Sequence, residues 1–154
     1  MWSTLQIAWG LKDAHDRFRE VVRGLSGEQL NANLGPETNP IAVLVVHALG
    51  AERQVLTMVG ERPEPRDRDA EFRARADGPA PLLEALERAD RLVDQIVPGL
   101  TQAQLEQPFF RNDLTLSGAR WLIRAFGHVR EHAAHAELTR QLLTSQGRPT
   151  GGPG

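Results

Sequence analysis

Apolar residues recur at spacings of three and four along four stretches of the chain, and between them the pattern breaks at proline, glycine and clustered charge. Leu5, Ala8, Leu11, Phe18, Val21, Val22 and Leu25 predict a first amphipathic helix over about 3–25, closed by Ser26-Gly27. Asn39-Pro40, a capping residue followed by a proline suited to the first helical position, opens a second helix that runs to about Val59. Leu82, Leu83, Leu86, Ala89, Leu92, Val93 and Ile96 predict a third, stopped by Pro98-Gly99 and followed by a short helical turn over 101–107. Trp121, Leu122, Ala125, Phe126, Val129, Ala133, Ala136 and Leu142 predict a fourth, from Ser117 to about Leu143.

Gly60 to Pro81 is charged and punctuated by proline, so it reads as a long crossover with little core of its own. No strand pattern, internal repeat or second core is expected. The pattern as a whole predicts an all-α fold, a four-helix bundle with its long crossover between helices two and three. It also predicts one domain over 1–146 and a disordered glycine- and proline-rich tail over 147–154.

With 154 residues the chain has the length for one core, burying roughly two thirds of the surface it exposes when unfolded. A net charge of -2 with interspersed signs offers no broad basic field, and aromatic residues are few with no tyrosine, so nucleic acid is not an expected partner. The longest apolar run, Ile41 to Gly50, is too short to span a membrane, and the opening Met-Trp-Ser-Thr lacks the basic start of a secretion signal. A cytoplasmic location without membrane partners is the expectation. Zero cysteines remove disulfides, thiolate ligands and a thiol nucleophile, which leaves histidine and carboxylate to coordinate a metal.

Three of five histidines lie in G-His128-V-R-E-His132-A-A-His135, and the spacings of four and three set them on one helical face. His47 interrupts the apolar run A-V-L-V-V-His47-A-L-G, where an imidazole must find a polar partner or cost about 1–3 kcal/mol. A divalent ion such as zinc or nickel, held between helices two and four, supplies that partner. His47 with His128 and His132 is the cleanest ligand set; His132 with His135, or Glu131 with His135, would rotate the site along the same stripe. His135 is therefore an alternative ligand or a residue orienting the ligands, and Glu131, if it points inward, a candidate general base.

The segments N-P-I-A-V-L-V-V-His47-A-L-G-A-E, R-D-R-D-A-E-F-R and H-V-R-E-H-A-A-H-A-E-L-T-R-Q-L-L resemble the DinB-like superfamily over nearly the whole chain. The resemblance implies a four-helix bundle, homodimer formation, and a divalent ion bound by one histidine of helix two and an H-x-x-x-H pair of the last long helix. Those positions are His47, His128 and His132 here. The superfamily includes transferases and isomerases that act with low-molecular-weight thiols, as well as metal-dependent hydrolases. The chain departs from its commonest ending at Ala136, where another histidine is usual.

Other residues carry alternative readings. Asn39 is a helix cap in preference to a substrate contact, and Trp121 fills the core or walls the site. Arg140 and Glu137 form a solvated face or meet an anionic thiol cofactor, and His15 is a satisfied histidine outside the ligand set. Arg66, Asp67, Arg68 and Asp69 belong to either a lid or a solvated linker. The function that follows is metal-dependent transfer of a low-molecular-weight thiol, or hydrolysis of a small-molecule substrate, with any sulfur nucleophile brought by the thiol itself. The rival reading is a non-enzymatic dimeric helical protein whose metal is structural or senses a ligand.

Overall fold

Helix starts in this chain are set by side chains that satisfy the free N–H groups of a first turn. The computed structural model describes residues 3–145. Ser3 caps α1 (Thr4–Val22) and Ser26 caps the single turn α2 (Gly27–Leu30), each through a reciprocal box with the glutamine three residues on, Gln6 and Gln29. α3 covers Ile41–Val59, α4 Arg68–Phe72 and α5 Ala80–Ile96. A 3-10 turn over Val97–Gly99, α6 (Gln102–Glu106) and a two-stranded hairpin follow, and α7 (Gly118–Ser145) completes the described chain. Thr101 and Gln104 form a third capping box at the start of α6.

The four long helices are α1, α3, α5 and α7, and α1 and α3 each pack against both α5 and α7. Leu11, Phe18, Val22, Ile41, Val45, Leu56, Leu86, Val93, Leu122 and Val129 are fully buried between them. α3 is long and apolar enough to cross a membrane, with a mean hydropathy of 1.3, but 67% of that window is buried inside the protein, as in a core helix. The apolar run counted to Gly50 is thus part of a helix of 19 residues.

Several expectations need correction. The first helix stops at Val22, because Gly24 takes a left-handed conformation (φ 74°) and turns the chain so that Leu25 is buried in the core. Arg140 and Glu137, both partly exposed, are also tied to α1: Arg140 donates to the carbonyls of Glu20, Val21 and Arg23 at the end of that helix, and Glu137 pairs with Arg17 at 2.6 Å. Pro40, not Asn39, is the cap residue of α3, and no side chain caps that helix. Asn39 stands one position too early. The chain also contains strands, β1 (Pro108–Arg111) and β2 (Leu114–Ser117), antiparallel with Phe109 opposite Leu116. Asn112 and Asp113 both have positive φ (51° and 59°), as a two-residue type I′ hairpin turn requires.

The crossover is more ordered than its composition suggests. Asp67 caps α4 through the Ala70 N–H at 2.9 Å, and the backbone of Ala76 is held on both sides by the Asn31 amide, at 2.8 and 3.0 Å. It buries Glu71 and Ala76. The tail over 147–154 lies outside the described residues.

His15 is a satisfied histidine, as expected. Fully buried, it bonds through Nδ1 to Asp90 at 2.7 Å and through Nε2 to Glu52 at 2.8 Å, with Arg19 also on Asp90. This network ties α1, α3 and α5 together, and His15 is not one of the histidines that converge between α3 and α7.

Candidate metal centre

α3 and α7 form the most extensive helix pair, and His47 faces His128 and His132 across it. One ring nitrogen from each of the three lies within 4.8 Å of the others. His128 and His132 are one helical turn apart, and their Nε2 atoms approach to 3.0 Å. Two nitrogens at about 2.0–2.1 Å from a tetrahedral ion stand roughly 3.3 Å apart, so the cluster has the scale of a coordination sphere.

Protonation favours the same reading. Burial pushes His128 down to about 4, helped by the charges of His132, His47, Arg66 and Arg111. His132 is lowered by burial and then by His47 and His135, with Glu131 opposing from an exposed position. Burial also lowers His47; the hydrogen bond to Glu71 opposes this and Arg66 assists it. Neutral imidazoles keep a lone pair for a cation. The buried Nδ1 atoms of His128 and His132 have no hydrogen-bond partner among the described residues, and their Nε2 atoms are bonded only to each other, so no protein group outside the cluster holds either ring. These donors fit a divalent ion.

The outer support of the site was not legible beforehand. Glu71, on α4, accepts from Nδ1 of His47 at 3.1 Å and is itself gripped by Arg66, Nε to Oε1 and Nη2 to Oε2, both at 2.7 Å. A carboxylate on Nδ1 fixes the tautomer that leaves Nε2 of His47 with its lone pair. The approach of Arg66 Nη2 to the same Nδ1, at 3.4 Å, is secondary to this bond. The crossover is therefore neither lid nor solvated linker at this point, because Arg66 and Glu71 are fixed parts of the site's wall. Arg68 and Asp69 are exposed.

Glu71 reaches His47 over Gly50, where a Cβ would stand 2.0 Å from Oε1 and 2.7 Å from Cδ. Gly50→Ala is therefore expected to expel the carboxylate and lower metal affinity about 10–100-fold, the effect typical of losing such a partner. Metal titration of the purified variant checks it. An affinity equal to that of the parent would mean that Glu71 does not orient His47.

The remaining sequence candidates fall outside the cluster. His135 is exposed, with its ring centroid 5.8 Å from that of His132, and Glu131 is exposed. Ala136 is fully buried in the core, and the three histidines meet without a fourth at that position. Trp121 does both things expected of it: it is buried, donates from Nε1 to the Phe109 carbonyl at 2.9 Å, and lines a cleft beside the histidines. That cleft has a volume of about 490 Å³, and His47 and His128 form part of its wall. Its size suits a small molecule.

Among curated proteins, none matches this chain. Solved structures do. A conserved protein from Enterococcus faecalis superposes with a TM-score of 0.80 at 16% identity, covering 94% of this chain and 99% of that one. A DinB-like protein from Bacillus subtilis superposes with a TM-score of 0.71 at 14% identity, covering 90% and 92%. At such identities the likeness is one of fold. Residues 11–136 match the model of the DinB superfamily, and the chain belongs to that superfamily.

Proposed function

We propose that this chain is a metal-dependent enzyme that binds a divalent ion through His47, His128 and His132 and transfers a low-molecular-weight thiol to a small electrophile, or hydrolyses a small substrate. The observation that carries the reading is the convergence of three half-buried or buried imidazoles, two of which, His47 and His128, form part of the wall of an open cleft. A purely structural site needs no such opening. When bound, the ion supplies Lewis acidity that lowers the pKa of a thiol or water.

The chain's own residues supply position and charge. Glu71, locked by Arg66, holds His47; Trp121 lines the cleft; and Gln54 accepts from both Arg66 and Arg111 at the cleft wall. Glu131, the candidate general base of the sequence, is exposed and does not line the cleft, so it takes no part in the chemistry under this reading. Because the chain has no cysteine, the sulfur nucleophile arrives with the co-substrate.

The test is turnover by the metal-loaded protein against a panel of thiols with a chromogenic electrophile, and separately against activated esters and amides. Metal-dependent turnover in either panel, lost in His128→Ala, is expected. Rates equal to background in both, from protein carrying one ion per chain, would contradict the enzymatic reading.

A further inference from the structure

The same cleft carries an excess of positive charge that the histidines do not explain. Arg66, Arg68, Arg111 and Arg124 line it, and no aspartate or glutamate does. Carboxylates are not scarce in the chain, which has 20 acidic and 18 basic residues. Elsewhere among the described residues several arginines find them, Arg17 with Glu137, Arg19 with Asp90, Arg53 with Glu64 and Arg130 with Asp13, while others such as Arg62, Arg73 and Arg88 do not; what distinguishes the cleft is that its unpaired arginines converge on one space. In the cleft only Arg66 is paired, to Glu71. Among the described residues Arg68, Arg111 and Arg124 have no carboxylate partner; Arg68 lies over the Phe72 ring at 5.0 Å and Arg111 over the Trp121 ring at 5.5 Å.

The arrangement is built, not incidental. One neutral oxygen, Oε1 of Gln54, accepts from Arg66 Nη1 at 3.2 Å and from Arg111 Nε and Nη2 at 3.1 and 2.8 Å, so two like-charged guanidiniums are held side by side. Burial and the charges of Arg66 and Arg124 lower the pKa of Arg111, the sign of a cation lacking its counter-ion. The three unpaired arginines come from α4, β1 and α7, elements that meet only in the fold. Three unpaired guanidiniums beside a site for a divalent cation repel that cation unless an anion shares the cleft.

We infer that the cleft is the receptor for an oxyanion group, carboxylate or phosphate, of the enzyme's organic substrate or thiol co-substrate, bound by Arg68, Arg111 and Arg124. This deepens the metal-enzyme reading and rests on it for what the anion is doing there, though not for its binding. The planar guanidinium fork matches the paired oxygens of either group. Val55, Leu114 and Trp121 line the same space and receive the apolar body of such a molecule. A cleft of this size, in a chain of net charge -2, fits a small anion and not a polyanionic strand.

The experiment uses metal-free protein, stripped by a chelator and dialysed, titrated calorimetrically at low salt with succinate and, separately, with inorganic phosphate. Saturable binding of at least one is expected, weakened at least 10-fold in Arg124→Gln and in Arg68→Gln, both exposed positions, and unchanged in the control Arg91→Gln. Succinate alone assigns a carboxylate, phosphate alone a phosphoryl group, and both a general oxyanion receptor. No saturation by either at about 10 mM, weaker than any useful substrate contact, or equal affinity in the arginine variants, overturns the inference. Because no metal is present, either outcome is independent of whether the histidines bind an ion.

Discussion

His128→Ala is expected to lower divalent-metal affinity by at least about 100-fold, beyond the 10–100-fold typical of losing an outer partner, while the metal-free protein keeps its stability to within about 1 kcal/mol. The two halves follow from the same geometry. His128 contributes one of three converging nitrogens, so its removal leaves a pair of imidazoles for the ion. In the metal-free protein its buried Nδ1 is unsatisfied, so truncation trades lost packing against a relieved polar atom, opposing effects of about 1–2 kcal/mol. Titration with zinc or nickel measures the first half and urea denaturation of the chelated protein the second. His135→Ala is the control. Its exposed ring predicts less than a threefold change by the usual weight of surface substitutions, and a loss there exceeding that of His128→Ala would move the site along the helix.

The largest effect on stability is expected away from the cluster, at Glu52→Ala. Burial alone would lower the His15 pKa, but hydrogen bonds to Asp90 and Glu52 and their charges hold it up at about 9, so the ring is an imidazolium at neutral pH. Burial pushes the Glu52 carboxyl up against the pull of that imidazolium. Removing Glu52 leaves a buried cation with Asp90 as its one bonded carboxylate, and breaking such a pair costs about 3–5 kcal/mol. Urea denaturation should show that loss, and a cost below about 1 kcal/mol would mean the pair is not charged in the folded protein.

The sign of the pH dependence follows. A histidine whose folded pKa is raised contributes stability that is fully present below its ordinary 6.5 and is lost as pH rises through about 9. The loss is on the order of 3 kcal/mol. Glu52, raised by burial, acts in the same direction, whereas Asp90, lowered despite burial by His15 and Arg19, contributes stability lost only at acid pH. Unfolding free energies at pH 6.5 and 9 should therefore fall in the parent and converge with those of Glu52→Ala.

The four long helices were legible because each repeats its apolar residues for four turns or more, long enough for period to outweigh local exceptions. His128 and His132 were legible from their spacing, and His47 because an imidazole inside V-L-V-V-H-A-L has no innocuous place to go. Glu71 was not. It lies in a stretch that reads as solvated, and its burial depends on the bare backbone of Gly50 and the grip of Arg66, neither of which has a periodicity. The hairpin was missed although F-F-R-N-D-L-T-L holds its signal, an asparagine-aspartate pair between short strands. Asn39 was misplaced by one residue because proline took the cap. The arginine cleft assembles from segments distant in sequence, so only the fold brings its charges together.

The most direct measurement is a crystal structure of the protein reconstituted with zinc or nickel, with anomalous data collected at the absorption edge of the metal. One peak per chain is expected between α3 and α7, bonded by ring nitrogens of His47, His128 and His132 at about 2.0–2.1 Å, with Glu71 still on Nδ1 of His47. A peak elsewhere, a ligand set lacking any of the three, or no peak in protein soaked to saturation would contradict it.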